Sequence, residues 1–243
     1  MRWACAFDHR ATQGVRNDGA ARAAREANVQ LVAGDTKVVP RGRGDKVFAV
    51  SSGLGVVAPT VDVGDHRVGA GDVVIDSRTL GDHGAVIMAC RHGLQSELAS
   101  CVAPLHALTL AVLGCDAPVH AMHDPTRGGV ATVCHEVAVR ARCRIELDEA
   151  ALPLRRETLA VCELLGLDPL YLACEGRLLL WTPAAHADAV LAVLRELPQG
   201  RGAAVIGRVT EGADGGAPLV LRTHSGGARA LDLLSGMDLP RIC

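Results

Sequence analysis

Aromatic side chains are almost missing from this sequence. Only 2% of its 243 residues are Phe, Trp or Tyr, so no row of rings is available to stack the bases of a single strand. Ala, Val and Leu must fill the core instead. A long basic run is also absent, and the formal net charge is −2. Both facts argue against a nucleic-acid or anionic-membrane surface. No stretch approaches the roughly 18 apolar residues of a membrane span. The opening "MRWACAFDHRATQGVRNDG" has no apolar signal-peptide core. Neither a span nor a signal peptide is expected, and the expected location is the cytoplasm. The nine cysteines, at 5, 90, 101, 115, 134, 143, 162, 174 and 243, contain no C-x-x-C. An odd, scattered set of this kind reads as reduced, buried small hydrophobes rather than a disulfide framework or a zinc site. No G-x-x-x-x-G-K-[ST] phosphate loop occurs either.

What is present is a chain that is 49% hydrophobic, long enough for one large domain or two small ones. "ARAAREANVQLVAGDTKVV" reads as a helix followed by two short strands about a Gly-Asp turn, and "KVFAVSSGLGVV" as β-rich. "GDVVID" is a strand. "APLHALTLAVLG", the stretch from Val130 to Val139, "RRETLAVCELLG" and "PAAHADAVLAVLREL" have helical spacing. Cys143 to Leu147, "EGRLLLW", "AAVIGRV" and "PLVLRT" read as strands. Hairpin-like strands mixed with helices predict an α+β fold rather than a doubly wound parallel sheet. The polar, Gly-rich "GDHRVGAGD" (Asp65 to Gly71 at its heart) marks a boundary.

Five stretches could carry chemistry. "GDTKVV" sets Asp35 and Lys37 beside a glycine, which suits a metal-phosphate or a proton transfer as well as an ordinary solvated turn. "HDPTRGGVAT" opens a helix behind Gly128 and Gly129. Its free N–H groups make an anion site, although Asp124 or Thr126 there could equally be a simple N-cap. "GDHG", Gly81 to Gly84, reads as a turn that carries an acid and an imidazole. "CEGRLLLW" places Glu175 at the mouth of an apolar strand. There it is either a base raised by burial or a surface acid paired with Arg177. Finally, "MDLPRIC" ends on a thiol. Pro240 biases Leu239 to an extended form, so Cys243 sits on a semi-stiff finger.

Taken together and in this order, "GDTKVV", "GDHG", "DPTRGG", "CEGRLL" and the terminal "PRIC" resemble the HypE family of hydrogenase maturation factors, within the PurM-like (AIR synthase-related) superfamily. The resemblance runs from about Ala21 to Cys243. It implies a two-domain PurM-like architecture. Residues 1–68 correspond to part of the N-terminal ATP-binding and dimerisation domain, with 1–20 unlike the family. Residues 69–223 correspond to the C-terminal α/β domain, and 224–243 to a flexible tail hinged at "HSGGARA". The family has a longer segment in front, with glycines, strands and acidic magnesium ligands. The implied N-terminal ATP-binding domain is therefore incomplete, and weak ATP turnover by this chain alone is expected.

The activity implied is that of an ATP-dependent carbamoyl dehydratase. A partner, HypF, loads a carbamoyl group on the terminal thiol. Dehydration turns it into a thiocyanate, and the cyano group passes to the iron of a [NiFe]-hydrogenase on a HypC–HypD complex. A homodimer is implied. Residue by residue, Cys243 carries the group, Lys37 stabilises charge and Glu175 is the base. Asp35 and Thr36 lie near ATP and magnesium, with Asp35 a metal ligand. Asp124, Gly128 and Gly129 form the phosphate-binding turn. Two other readings stay open: a selenophosphate synthetase-like enzyme, for which Cys5 is too isolated, and a non-catalytic docking partner that keeps the tail.

Overall fold

A computed structural model describes residues 15–35, 37–43, 50–212 and 216–234. They divide into two units, one up to Ala58 and one from Pro59 onward.

The first unit holds helix α1, Val15–Glu26. Its described residues from 29 onward contain no strand, contrary to the reading of "VQLVAGDTKVV" and of the end of "KVFAVSSGLGVV". The apolar side chains there face outward: Val32 and Val38 are each 88% exposed. A strand exists only as one side of a hydrogen-bonded ladder. An apolar run without a partner strand stays irregular, whatever its propensity.

The second unit is built on a sheet with the strand order β2-β4-β1-β5-β3-β6-β7. The strands are β1 Asp72–Asp76, β2 Ala121–His123, β3 Cys143–Asp148, β4 Leu179–Pro183, β5 Ala204–Glu211, β6 Leu219–Arg222 and β7 Ala228–Ala230. Every described pairing is antiparallel except β3 with β6. The helices are α2 Asp82–Arg91, α3 His106–Leu113, α4 Gly129–Ala141, α5 Arg156–Leu165 and α6 Ala187–Arg195. This is the α+β class read from the sequence.

Alternation of side chains along each strand distributes the core over both faces. On one face Val74, Leu179 and Trp181 join Ile145, Ile206 and Leu219 under the apolar stripe of α4: Val130, Cys134, Val137 and Ala138. On the other face Ile75, Leu178 and Leu180 pack with α3 and α6. Helix α6 shows the sequence logic plainly. Ala187, Val190, Leu191 and Leu194 recur at helical spacing, and all four are buried. A smaller cluster joins Ala85 and Ala89 of α2 to Val161 and Cys162 of α5.

Within the second unit, the segment before β1 is tied to β2 and α4. The Asp65 carboxylate accepts from His123 Nε2 at 2.6 Å and from Arg140 Nη1 at 2.9 Å, and Val68 is buried. At the other end, "HSGGARA" is not a loose hinge. The Gly226 N–H donates to the Thr223 carbonyl at 2.9 Å, the turn takes φ 82° at Gly226, and Ala228–Ala230 pairs back on β6. A glycine that accepts positive φ closes this hairpin, so the glycines build a turn rather than a flexible link.

Candidate functional site

Three turns meet at one edge of the second unit. The first enters α2 at Gly81, the second enters α4 at Gly128, and the third is the corner 173–177 before β4. Their contacts span long stretches of sequence. The Gly81 N–H donates to Cys174 Sγ at 3.1 Å, Gly84 N–H to the Ala173 carbonyl at 3.0 Å, and Cys174 N–H to the Pro125 carbonyl at 2.9 Å. "GDHG", "HDPTRGG" and "CEGR" are thus brought together by two main-chain hydrogen bonds and one to the Cys174 thiol.

The glycines make this approach possible. Gly129 sits at φ 61°, and a Cβ there would collide with the carbonyl oxygens of Leu170 and Leu172. Neither backbone oxygen can yield. Gly129→Ala is therefore expected to destabilise the second unit by about 2–4 kcal/mol, from overpacking and backbone strain together. Gly166→Ala is the control. It has a similar φ of 66° with nothing near its Cβ and should lose about 1 kcal/mol from backbone strain alone. Urea unfolding of the two variants measures the difference.

Glu175 lies on the third turn and is only 6% exposed. Its Oε1 has no hydrogen-bond partner within the described protein. Burial pushes its carboxyl above the ordinary range, and the negative charge of nearby Asp124 adds to the effect. Asp124 itself is half-buried on the turn before α4. The surface pair of Glu175 with Arg177 is not what forms. Arg177 is buried and bonds to the Gly176 carbonyl, to Thr79 and to Asp82.

Sequence reasoning missed a second buried acid. Asp76 ends β1 with both carboxylate oxygens buried and, among the described residues, unpartnered. Burial pushes its carboxyl up to about 8. The Arg177 guanidinium opposes this, as do the amides of Arg78 and Ser77, which approach without closing a hydrogen bond. "VVID" carried a weak signal, an acid closing an apolar strand, but only the packed sheet shows that water does not reach it.

The sign of the linked pH effect follows. The folded carboxyl holds its proton from the ordinary 3.8 up to about 8, while the unfolded one releases it. Its contribution to stability is present at low pH and is lost as pH rises through that window. The melting temperature should accordingly fall between about pH 5 and about pH 8, and Asp76→Asn should flatten the fall. Scanning calorimetry at both values checks this; an equal drop in both proteins would contradict it.

The remaining expected residues stand as follows. Gly128 caps α4 at φ 74°. Asp35 and Lys37 are exposed in an irregular stretch of the first unit. Thr36 and Cys243 lie outside the described residues. Among the described residues, no three His, Cys, Asp or Glu side chains gather into a metal-ligand set.

Comparison with known proteins gives the family. The profile described as AIR synthase related protein, C-terminal domain, matches residues 69–219. The crystal structure of Escherichia coli HypE, a hydrogenase maturation protein, superposes with a TM-score of 0.84. It is 40% identical, over 93% of this chain and 69% of that one. The chain belongs to the HypE family of AIR synthase-related proteins. A HypE structure in complex with ATP matches at 38% identity and TM-score 0.82, over 93% of this chain and 68% of that one. A chain of a HypE–HypF complex matches at 32% and 0.79, over 89% and 70%. The carbamoyl dehydratase HypE of Rhodobacter capsulatus is 47% identical over 92% of this chain. This chain spans 66% of the length of that relative. The PurM-like fold is thereby shown. No described helix is long and apolar enough to cross a membrane.

Proposed function

We propose that this protein is an ATP-dependent carbamoyl dehydratase that carries its substrate on its own Cys243 thiol. The observation that carries the proposal is Glu175. It is a buried carboxyl with an unpartnered oxygen and a raised proton affinity, in the "CEGR" corner of a chain whose relative bears that name. A carboxylate of raised proton affinity is a better acceptor for an amide N–H proton than an ordinary one.

The chemistry balances in two steps. The carbonyl oxygen of the S-carbamoyl group attacks the γ-phosphorus of ATP. ADP leaves, and Glu175 takes one N–H proton, giving an O-phosphorylated thioimidate. Loss of the second N–H proton and of phosphate then leaves S–C≡N on Cys243. Phosphorylation turns an oxygen that leaves poorly into one that leaves well. Lys37 is assigned to the charge that develops on the phosphoryl group or oxygen. Asp35 and Thr36 are assigned to the nucleotide, and Asp124, Gly128 and Gly129 to a phosphate-binding turn at the head of α4. Tethering the carbamoyl group to the chain replaces a bimolecular encounter with an intramolecular one.

ATP as co-substrate is supported by the solved HypE–ATP complex, and HypF as the loading partner by the solved HypE–HypF complex. The family motifs further assign magnesium with the nucleotide, a HypC–HypD complex as cyanide acceptor and a homodimer. The described cysteines are all free thiols, which suits a reducing cytoplasm.

The test is intact-mass spectrometry after incubation with a HypF-type carbamoyltransferase, carbamoyl phosphate and ATP. The expected result is a carbamoyl adduct on Cys243 that loses the mass of one water only when ATP is hydrolysed. No adduct beside an active loading partner would overturn the proposal.

A further inference from the structure

The catalytic reading leaves one buried cation without a task. Arg177 is 3% exposed, and a buried guanidinium persists only if its donors are satisfied. Its Nε donates to the Thr79 carbonyl at 2.8 Å and its Nη1 to the Gly176 carbonyl at 3.0 Å. Nη2 reaches Thr79 Oγ1 at 3.4 Å and Asp82 Oδ2 at 3.5 Å. Asp82 is held in turn by the hydroxyls of Thr79 and Thr158, and Arg155 Nε lies 3.3 Å from it. One side chain thus joins the turn 77–82 to the corner 174–177.

That corner is where Glu175 sits. Among the described residues its Oε1 has no hydrogen-bond partner, so that oxygen is aimed by the backbone beneath it rather than by a partner of its own. The backbone turns at Gly176 with φ 94°, in a space where a Cβ would collide with the Cys101 carbonyl oxygen and the Ala103 nitrogen. Before Glu175 the chain is held by the Cys174 N–H to the Pro125 carbonyl. After it, Arg177 Nη1 holds the Gly176 carbonyl. The ladder toward β4 continues with Ser77 N–H to the Leu178 carbonyl at 3.1 Å and Leu178 N–H to Ser77 Oγ at 3.0 Å.

We propose that Arg177 is the positioning residue of Glu175. Its planar fork locks the Gly176 peptide to the Thr79 turn, and this keeps the Glu175 carboxyl beside Asp124 at the head of α4. The inference rests on the reading of Glu175 as the base. Charge alone does not do this. A lysine could face Asp82 but could not reach two carbonyls in one plane with fixed geometry. Displacement of a base by about 1 Å costs on the order of 100-fold in rate.

Arg177→Lys separates the fork from the charge, and Asp82→Asn separates the charge from the fork. Both are compared with wild type in the full chain, after loading of Cys243 by the carbamoyltransferase. The readouts are the ATP-dependent dehydration rate per folded molecule and the titration of Glu175, followed by NMR with 13C-carboxyl glutamate. Glu175→Gln identifies the resonance. Arg177→Lys is expected to load normally and to dehydrate about 10- to 100-fold more slowly. Its Glu175 titration should move down toward the ordinary range, because a loosened corner lets water reach the carboxyl. Asp82→Asn should lower the melting temperature with a smaller change in both readouts.

A purely structural arginine would lower the melting temperature in both variants and leave the rate per folded molecule and the titration unchanged, which overturns the inference. If Arg177→Lys does not fold, Arg177→Gln tests the same two carbonyl contacts, because its shorter amide cannot reach both. It should move the titration in the same direction, and no movement is equally fatal. If Glu175→Gln turns over normally, the base reading fails, while the titration in Arg177→Lys still decides whether Arg177 places that carboxyl.

Discussion

Glu175→Gln is expected to load a carbamoyl group on Cys243 at the wild-type rate and then to stop, with dehydration slowed by about 100- to 10,000-fold, the range for loss of a general base. The glutamine keeps the size and shape of the side chain but cannot accept the proton. Quenched-flow mass spectrometry resolves the stalled carbamoyl adduct from the thiocyanate. The same substitution should not harm the fold. A carboxyl whose proton affinity is raised by burial binds a proton in the folded chain that the unfolded chain has released. Its contribution is therefore lost as pH rises from the ordinary glutamate range to the raised value. Above that window the wild type carries a penalty that the amide avoids, so the variant should melt at an equal or higher temperature near neutral pH. In the wild type, dehydration should rise with pH through the raised value, since the base works when ionised. A slow but stable variant is the signature of a catalytic group. A variant with normal dehydration would remove Glu175 from the mechanism.

Cys243→Ser is expected to abolish the adduct altogether. Alkoxides form far less readily than thiolates, and a hydroxyl at the chain end offers no comparable nucleophile. The buried thiols among the described residues do not replace it. Cys134, Cys143, Cys162 and Cys174 are buried, and burial pushes their thiols up, Cys162 to about 11. Among the described cysteines Cys90 is the exposed one, so Cys90→Ser is the control and should leave adduct formation unchanged. Tryptic mapping of the loaded protein locates the group. An adduct that survives in Cys243→Ser would sink the carrier role.

Much of the second unit could be read in advance, and the reason is local. Helix α6 announces itself by four apolar residues at one spacing, and "DVVID" and "RLLLW" by short apolar runs that end in turn residues. The bounds of α4 and β3 differ from the sequence reading by at most two residues. The strands expected in "VQLVAGDTKVV" fail for a non-local reason, because a ladder needs a second chain segment that local pattern does not contain. The short β7 was missed because three small or polar residues, Ala228 to Ala230, carry no period, and only pairing with β6 makes them a strand.

The site divides along the same line. The residue order of five short motifs was enough to point to the HypE family, to choose Glu175, Lys37 and Cys243, and to mark the glycines that the turns require. Only the tertiary structure decided that Glu175 and Asp76 are buried, that Arg177 faces Thr79 and Asp82 instead of Glu175, and that turns 93 and 98 residues apart share hydrogen bonds. Sequence records which groups can ionise or donate. Desolvation and pairing set how strongly they do so, and both depend on what the fold places within a few ångströms.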